Sequence, residues 1–219
     1  MFKNITYRSF KVSFRNFKVW RKYWIENFLW LIGEPILYLI AFGIGFGQLI
    51  KENIQGLPYI KFLAPGLVIG SCMYSASFEA NYGTYTRMQV EKIFDAMLAT
   101  PLSIEDVISG ELFWCSFRAI ITGVVMLIVL IFWGIIDILT CFFILPLIFI
   151  TGLYFSGLGI IVTAYAKSYD FFSYYYTIFL APLYLFSGIF FPIEVFPQWM
   201  QNLVTYLPLT PLVSLSRMI

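Results

Sequence analysis

The 219-residue chain has no histidine, which excludes imidazole-based metal sites and any nucleophile or proton relay built on that ring. Charge is scarce. Asp, Glu, Lys and Arg make up 12% of the residues, against about 25% in a soluble domain. The three cysteines, Cys72, Cys115 and Cys141, each stand inside an apolar run and form no CxxC pair. They are read as small buried side chains rather than as ligands or disulfides. No GxxxxGKS/T sequence occurs, so the chain has no P-loop to hold ATP. No short apolar run follows a brief basic opening, so a cleavable leader is not expected. No internal repeat or second soluble domain is evident.

What the chain has in excess is apolar surface. Hydrophobic residues are 60% of the total, with 24 Phe and 15 Tyr, and the mean hydropathy is +0.83. The fold class is an all-α integral membrane protein, since about 20 apolar residues cross a hydrocarbon core as one helix. Five segments have that length: 28–50, 62–82, 107–135, 138–166 and 171–191. The first carries Glu34-Pro35 and the run Gly43-Ile44-Gly45-Phe46-Gly47. A nucleotide fingerprint is a poor account of those glycines, because no strand precedes them and no acidic partner follows. The second holds Pro65 and a GxxxG at Gly66 and Gly70, a spacing that lets helices approach closely.

Basic charge is concentrated at the start. Residues 1–26 hold seven of the fourteen Lys and Arg. Arg8, Lys11, Arg15, Lys18 and Lys22 form one helical stripe, with Phe10, Phe14, Phe17, Trp20 and Trp24 on a broad opposite face. That is the pattern of a helix lying in the membrane interface. Counting Arg87, Lys92 and Lys167, ten basic residues fall on one side and two, Lys51 and Lys61, on the other. The excess places the N-terminus in the cytoplasm.

The polar interval from Arg87 to Glu111 separates the second and third spans. Val90, Ile93, Phe94, Met97 and Leu98 recur at helical spacing, with Glu91, Lys92 and Asp95 opposite. The spacing predicts a helix within 88–101, stopped by Thr100-Pro101. Ser103 and Asp106 have the spacing of a near-capping box for the next helix. Such a short, cleanly ended helix is either a docking element or an ordinary interfacial loop helix.

Residues 192–211 are too apolar for a free loop and too broken for a span. Gly188, Pro192, Pro197 and Pro208 punctuate this region, which is expected to form a re-entrant helical hairpin on the outer side. The eight residues Leu212–Ile219 are too few to cross, so a last helix is expected to be missing.

Intramembrane charges cost about 2.5–3.5 kcal/mol each on insertion scales and therefore need partners or a role. Glu79, Glu111 and Arg118 are such residues. They either line a path for a polar substrate or form a structural network in which a carboxylate neutralises Arg118; the network is the favoured reading. Paired carboxylates also occur in acid–base catalysis, but no motif supports it here. Glu34 and Tyr184 are the other candidates for a pathway. The remaining tyrosines, Tyr165, Tyr169, Tyr174, Tyr175 and Tyr176, suit either an interfacial belt or a sugar-stacking surface.

Four stretches together resemble the ABC-2 family of ABC exporter membrane subunits. They are Glu34-Pro35 with Leu37-Tyr38 and Gly43–Gly47; Phe62-Leu63-Ala64-Pro65-Gly66; Phe94-Asp95-Ala96-Met97-Leu98-Ala99-Thr100-Pro101-Leu102-Ser103 with Gly110-Glu111; and Ser187-Gly188-Ile189-Phe190-Phe191-Pro192 with Pro197, Leu207-Pro208-Leu209-Thr210-Pro211 and Arg217. The flavour is that of NodJ-type lipo-oligosaccharide exporters. The resemblance implies a type V exporter-like bundle, five spans of six being present, in a homodimer in the bacterial inner membrane. It implies two separate ABC ATPase subunits that hold ATP and Mg, so that this chain binds no cofactor of its own. It implies docking through Glu91, Phe94, Asp95, Leu98, Thr100 and Pro101, and outward movement of a lipid-linked saccharide or related amphiphile, with no nucleic-acid partner. Drug exporters share the fold. An ion-driven transporter would want two similar halves and mid-membrane carboxylates, and an intramembrane enzyme would want clustered catalytic motifs.

Overall fold

The computed structural model describes residues 6–23, 33, 36–47, 54 and 56–218. Glu34, Lys51 and Trp24 lie outside the described residues. The described chain is helical throughout, with no strand beyond a bridge between Ile54 and Leu57. Helix α1 is Ser9–Lys22 and α2 is the π-helical run Leu39–Phe46. Helix α3, Tyr59–Val90, is continuous but contains π-turns at Glu79–Gly83 and Thr86–Val90. Helix α4 is Ile93–Leu98, α5 Ile104–Phe132 and α6 Ile138–Tyr165. Helix α7 runs through Asp170–Tyr174, a π-turn at Tyr175–Leu180 and Ala181–Phe186. Helix α8 is Gln198–Thr205 and α9 is Leu209–Met218.

Among the described residues, α3, α5 and α6 are long and apolar enough to cross a membrane. They pack on one another around a core that includes Phe62, Leu67, Met73, Met126, Ile148 and Phe155. Helix α6 turns Ile138, Leu139, Phe142 and Phe143 outward. An apolar outward face is what a lipid-facing helix requires, because lipid tails are as apolar as leucine.

Several boundaries differ from the sequence expectation. The second span starts at Tyr59, after Pro58 at its N-cap, so Lys61 lies in its first turn rather than in a loop. The helix expected within 88–101 is only six residues long. Its predicted start is interrupted at Lys92, whose φ of 51° is left-handed and breaks the helical path. The fifth span, expected over 171–191, ends at Phe186 and turns at Gly188, where φ is +84°. A left-handed turn there favours a residue without a Cβ.

The segment after Gly188 consists of short helical pieces. A 3-10 turn, Ile193–Val195, follows Pro192, and α8 follows Pro197. Arg217 on α9 fastens this region to the start of α3. Its guanidinium donates to the carbonyls of Phe62 (2.9 Å), Gly188 and Ile189 (3.0 Å) and lies 3.6 Å from the Phe62 ring centroid. The Gly66–Gly70 face of α3 receives the same region. Gly70 faces the Tyr184 ring and the Ile189 side chain so closely that a Cβ would overlap both. The GxxxG spacing is therefore used within the chain, between α3 and the α7 exit. Gly70→Val is expected to lower stability by about 1–3 kcal/mol through overpacking, with part of the loss regained in Gly70→Val/Tyr184→Ala. Thermal unfolding in detergent measures both, and an unchanged melting temperature for the single variant would refute the close contact.

Candidate functional site

The end of the bundle that carries α4 collects most of the polar chemistry. Its foundation is the start of α5. Ser103 caps the helix with a reciprocal pair: Asp106 N–H donates to Ser103 Oγ (3.1 Å), and Ser103 N–H to Asp106 Oδ2 (3.4 Å). The near-capping box is thus a complete one, with Asp in the position of the usual Glu. The other Asp106 oxygen accepts from the Thr6 N–H (2.7 Å) and hydroxyl (3.0 Å). The α5 cap thereby holds the chain just ahead of α1, and the Arg8 guanidinium donates to the Pro101 carbonyl.

Helix α1 packs on α5 through a face the two-sided wheel did not reveal. Ser9, Val12 and Asn16 are its buried residues, and all lie between the basic and aromatic stripes. The approach is tight because α5 offers Gly110, where a Cβ would stand 2.6 Å from the Ser9 carbonyl oxygen and the Val12 Cβ. Phe10 and Phe14 stay exposed, as a membrane-facing helix surface would be.

Helix α4 is bolted down from beneath. Phe94 and Met97 are buried in a small cluster with Val12 and Val107, and such burial is worth about 1.5–3 kcal/mol per large side chain. Val90 and Leu98, which the helical spacing puts on the same apolar face, are 60% and 42% exposed. Val90 lies before the Lys92 break and so does not share the axis of α4. The outward surface is Glu91, Lys92, Asp95, Leu98, Thr100 and Pro101. Phe94, expected among the docking residues, belongs instead to the support beneath them.

Beside this loop lies a buried charge cluster. Arg87 is its centre. Its Nη2 is 2.6 Å from Glu111 Oε2, its Nε donates to both Glu111 oxygens, and its Nη1 is 2.9 Å from Glu79 Oε1. Glu79 also accepts from the Trp114 indole N–H at 2.7 Å. Glu111 accepts from Asn16 Nδ2 at 2.8 Å and from the Thr84 hydroxyl at 3.2 Å. Arg118 Nε stands 3.5 Å from Glu79 Oε2, and its guanidinium lies over the Trp20 ring at 5.7 Å. Two carboxylates and two guanidinium groups balance, and three helices contribute.

The pairing differs in detail from the expected one. Arg118 faces Glu79, whereas Glu111, seven residues away on its own helix, is taken by Arg87. Arg87 was assigned to the loop and missed. The available signal was Glu79, Thr84 and Arg87 within nine residues, but only the π-turns align them. An i→i+5 turn widens the helix locally, and Gly83 leaves room between Glu79 and Arg87, since a Cβ would come 2.5 Å from Glu79 Oε1. A polar cavity of about 280 Å³ borders the cluster, lined by Arg15, Asn16, Trp20, Glu79, Arg87 and Glu91 among others.

Tyr184 does not face a path in this conformation. It is 7% exposed and packs against Tyr38, Tyr74 and Phe190. Tyr165, Tyr169 and Tyr174 are exposed, while Tyr175 and Tyr176 are half-buried. Rings run from Tyr169 to Tyr82, Tyr176, Tyr74 and Tyr184, each pair 5.1–6.1 Å apart.

The family described as ABC-2 type transporter matches residues 9–219. Nodulation protein J of Sinorhizobium fredii is 37% identical over 203 residues, covering 93% of this chain and 77% of that protein. Nodulation protein J of Rhizobium leguminosarum bv. viciae is 36% identical with 93% and 78% coverage. The inner membrane transport permease YadH of Escherichia coli is 22% identical over 87% of this chain and 74% of its own length. No solved structure matches.

Arg87→Met leaves buried Glu111 without a cation and Glu79 with Arg118 only, and is expected to destabilise the protein by about 3–5 kcal/mol. Arg87→Met/Glu111→Leu should recover part of that loss. Arg118→Met, which leaves Glu79 paired with Arg87, should cost less. Denaturation of the three variants in detergent ranks them, and a larger loss for Arg118→Met would show that the centre has been misplaced.

Proposed function

The chain belongs to the ABC-2 type transporter family, and from that premise we propose that it moves a lipid-linked oligosaccharide, polysaccharide or related amphiphile outward, driven by a separate ABC ATPase. It is a membrane permease of an ABC exporter and a multi-pass bacterial membrane protein. In this reading it is a transport subunit without its own ATPase site, working as a homodimer with ATP and Mg on the partner. The membrane is the cytoplasmic one, with the N-terminus and α4 on the cytoplasmic side. The positive excess on that side supports the orientation.

The observation that carries the docking reading is the two-sidedness of α4. Phe94 and Met97 fix it to α1 and α5, while Glu91, Asp95, Leu98 and Thr100 face outward. A supported element that offers Leu98 beside the charged Glu91, Lys92 and Asp95 suits a cleft on another protein. Closure of an ATPase pair would push on α4, and the push would pass to α1 and α5 together.

The substrate class rests on resemblance to the NodJ-type exporters, a weaker warrant than a defined site. An antibiotic or drug exporter on the same fold is the alternative. The intracellular species that accumulates when the gene is deleted decides between a saccharide lipid and a drug. An ion-coupled mechanism gains no support from the two glutamates, since both are neutralised by arginine.

Asp95→Arg and Leu98→Asp are expected to reduce co-purification of the ATPase at least tenfold while leaving the subunit inserted. Phe94→Asp should instead lower the stability of the subunit itself. Retained ATPase binding and export in the first two variants would refute docking through α4. Independently, a Leu98→Cys variant should react with a membrane-impermeant thiol reagent in inverted vesicles and not in intact spheroplasts. The opposite pattern would reverse the topology.

A further inference from the structure

A second feature of α1 is unrelated to docking. Its aromatic stripe does not close against the bundle along its whole length. Phe10, Phe14 and Phe17 form one wall of an open groove, and Phe113 and Phe117 of α5 with Phe149 of α6 form the other. The groove has a volume of about 990 Å³. Phe10 stacks on Phe113 at 5.3 Å, and Phe17 meets Phe117 at 6.0 Å, so both walls are buttressed rather than loose. From Phe113 to Ile120 the groove climbs α5 by about 10 Å at 1.5 Å per residue. It therefore runs from the α4 end into the depth of the bilayer. Among the described residues nothing fills it.

Charge is placed at the mouth. Lys11 is the one charged residue on the lining, and its ammonium lies 5.4 Å from the Tyr7 ring centroid. Lys18, two turns further along α1 and outside the lining, sits 4.8 Å from the Phe14 ring. Cations held over aromatic faces stay near the surface while the rings reach inward. The site thus has an apolar slot with positive charge at one end. Its complement is a molecule with an apolar tail and an anionic head.

We propose that this groove holds one acyl chain of an anionic phospholipid from the adjacent leaflet, with the phosphate on Lys11. The lipid completes the seat of α1, which meets α5 through its buried Ser9, Val12 and Asn16 face and through Phe10 and Phe17 on Phe113 and Phe117. This inference rests on the membrane placement of the chain and not on what it transports.

The test uses the full chain reconstituted in phosphatidylcholine vesicles that contain phosphatidylglycerol bearing a diazirine on its acyl chain. After irradiation, labelled peptides are mapped. Labelling of the α1 wall and of residues 113–120 should exceed that at Ile161 and Tyr165 several-fold. Those two residues lie on the outward face of α6 and report bulk lipid. Lys11→Gln and Phe10→Ser/Phe14→Ser change exposed side chains and should fold normally. Both should bring groove labelling down to the reference level without altering the reference. Ile120→Trp, which fills the slot, should do the same. Equal labelling of groove and reference would overturn the proposal, as would no effect of the variants. Equal labelling by a diazirine phosphatidylcholine would overturn the role of charge. Displacement of the label by excess polyprenyl-diphosphate saccharide would assign the groove to a transported amphiphile and overturn the resident-lipid reading.

Discussion

A guanidinium wedged between two carboxylates and mostly withdrawn from water can neither leave nor exchange partners cheaply. Arg87 occupies that position between Glu79 and Glu111. Breaking one buried partner away costs about 3–5 kcal/mol, a large share of the stability of any single domain. The pair therefore fixes the last turns of α3 against α5. Asn16 extends the constraint to α1 through Glu111, and Trp20 through Arg118. Helix α4 begins six residues after Arg87, and its underside rests on Val12 and Val107. Helix α4 is thus packed against α1 and α5 and joined to the charge cluster on α3 by a short stretch of chain.

Helix α3 is held at its other end by the same kind of device. Arg217 reaches across from α9 and donates to the carbonyls of Phe62, Gly188 and Ile189. Backbone carbonyls at a non-helical turn need donors when they are withdrawn from water, and Gly188–Ile189 is such a turn. One arginine near each end thus ties α3 to its surroundings, with carboxylates on the α4 side and bare carbonyls on the hairpin side. Between them the helix packs by shape, with Gly66 and Gly70 admitting the α7 exit. The two π-turns lie only in the half that carries the charges. That half is where side chains must be aimed with more precision than a 3.6-residue repeat allows.

The spans that were legible in the sequence were those set by solvent preference alone. Residues 107–135 and 138–166 anticipate α5 and α6 closely, because uninterrupted apolar length has one stable solution in a bilayer. The Ser103–Asp106 cap was legible because the chemistry is local. Three things were not. The break at Lys92 depends on a left-handed residue that is not a glycine, and nothing in the residue type announces it. The choice of Arg87 over Arg118 as partner of Glu111 depends on the π-turns, which shift the register of one helix against another. Phe94 looked available for docking because a helical wheel marks an apolar face without saying whether the chain itself covers it. Val12, 82 residues earlier, covers it.

The same limitation explains α1, and it bears on what this helix does. Two faces were visible in the sequence, basic and aromatic, and together they describe a helix floating in the interface. A third face, Ser9, Val12, Ser13 and Asn16, is too small and polar to register as a stripe. Yet small residues are what close helix approach requires, and the Ser13 hydroxyl and the Asn16 amide bond to Gly110 and Glu111 on α5. The helix is anchored by its least conspicuous side. Phe10 and Phe14 are thereby left exposed beside the groove, while Phe17 and Trp20 pack on Trp114 of α5. On the proposed placement of α1 in the interface, a helix fixed to the charge cluster on one face and in contact with lipid on another would couple the two. On that placement, a shift of α5 that loosens Asn16 from Glu111 would also change how the exposed Phe10 and Phe14 meet acyl chains. The composition of the surrounding leaflet would then enter the energetics of that shift through α1.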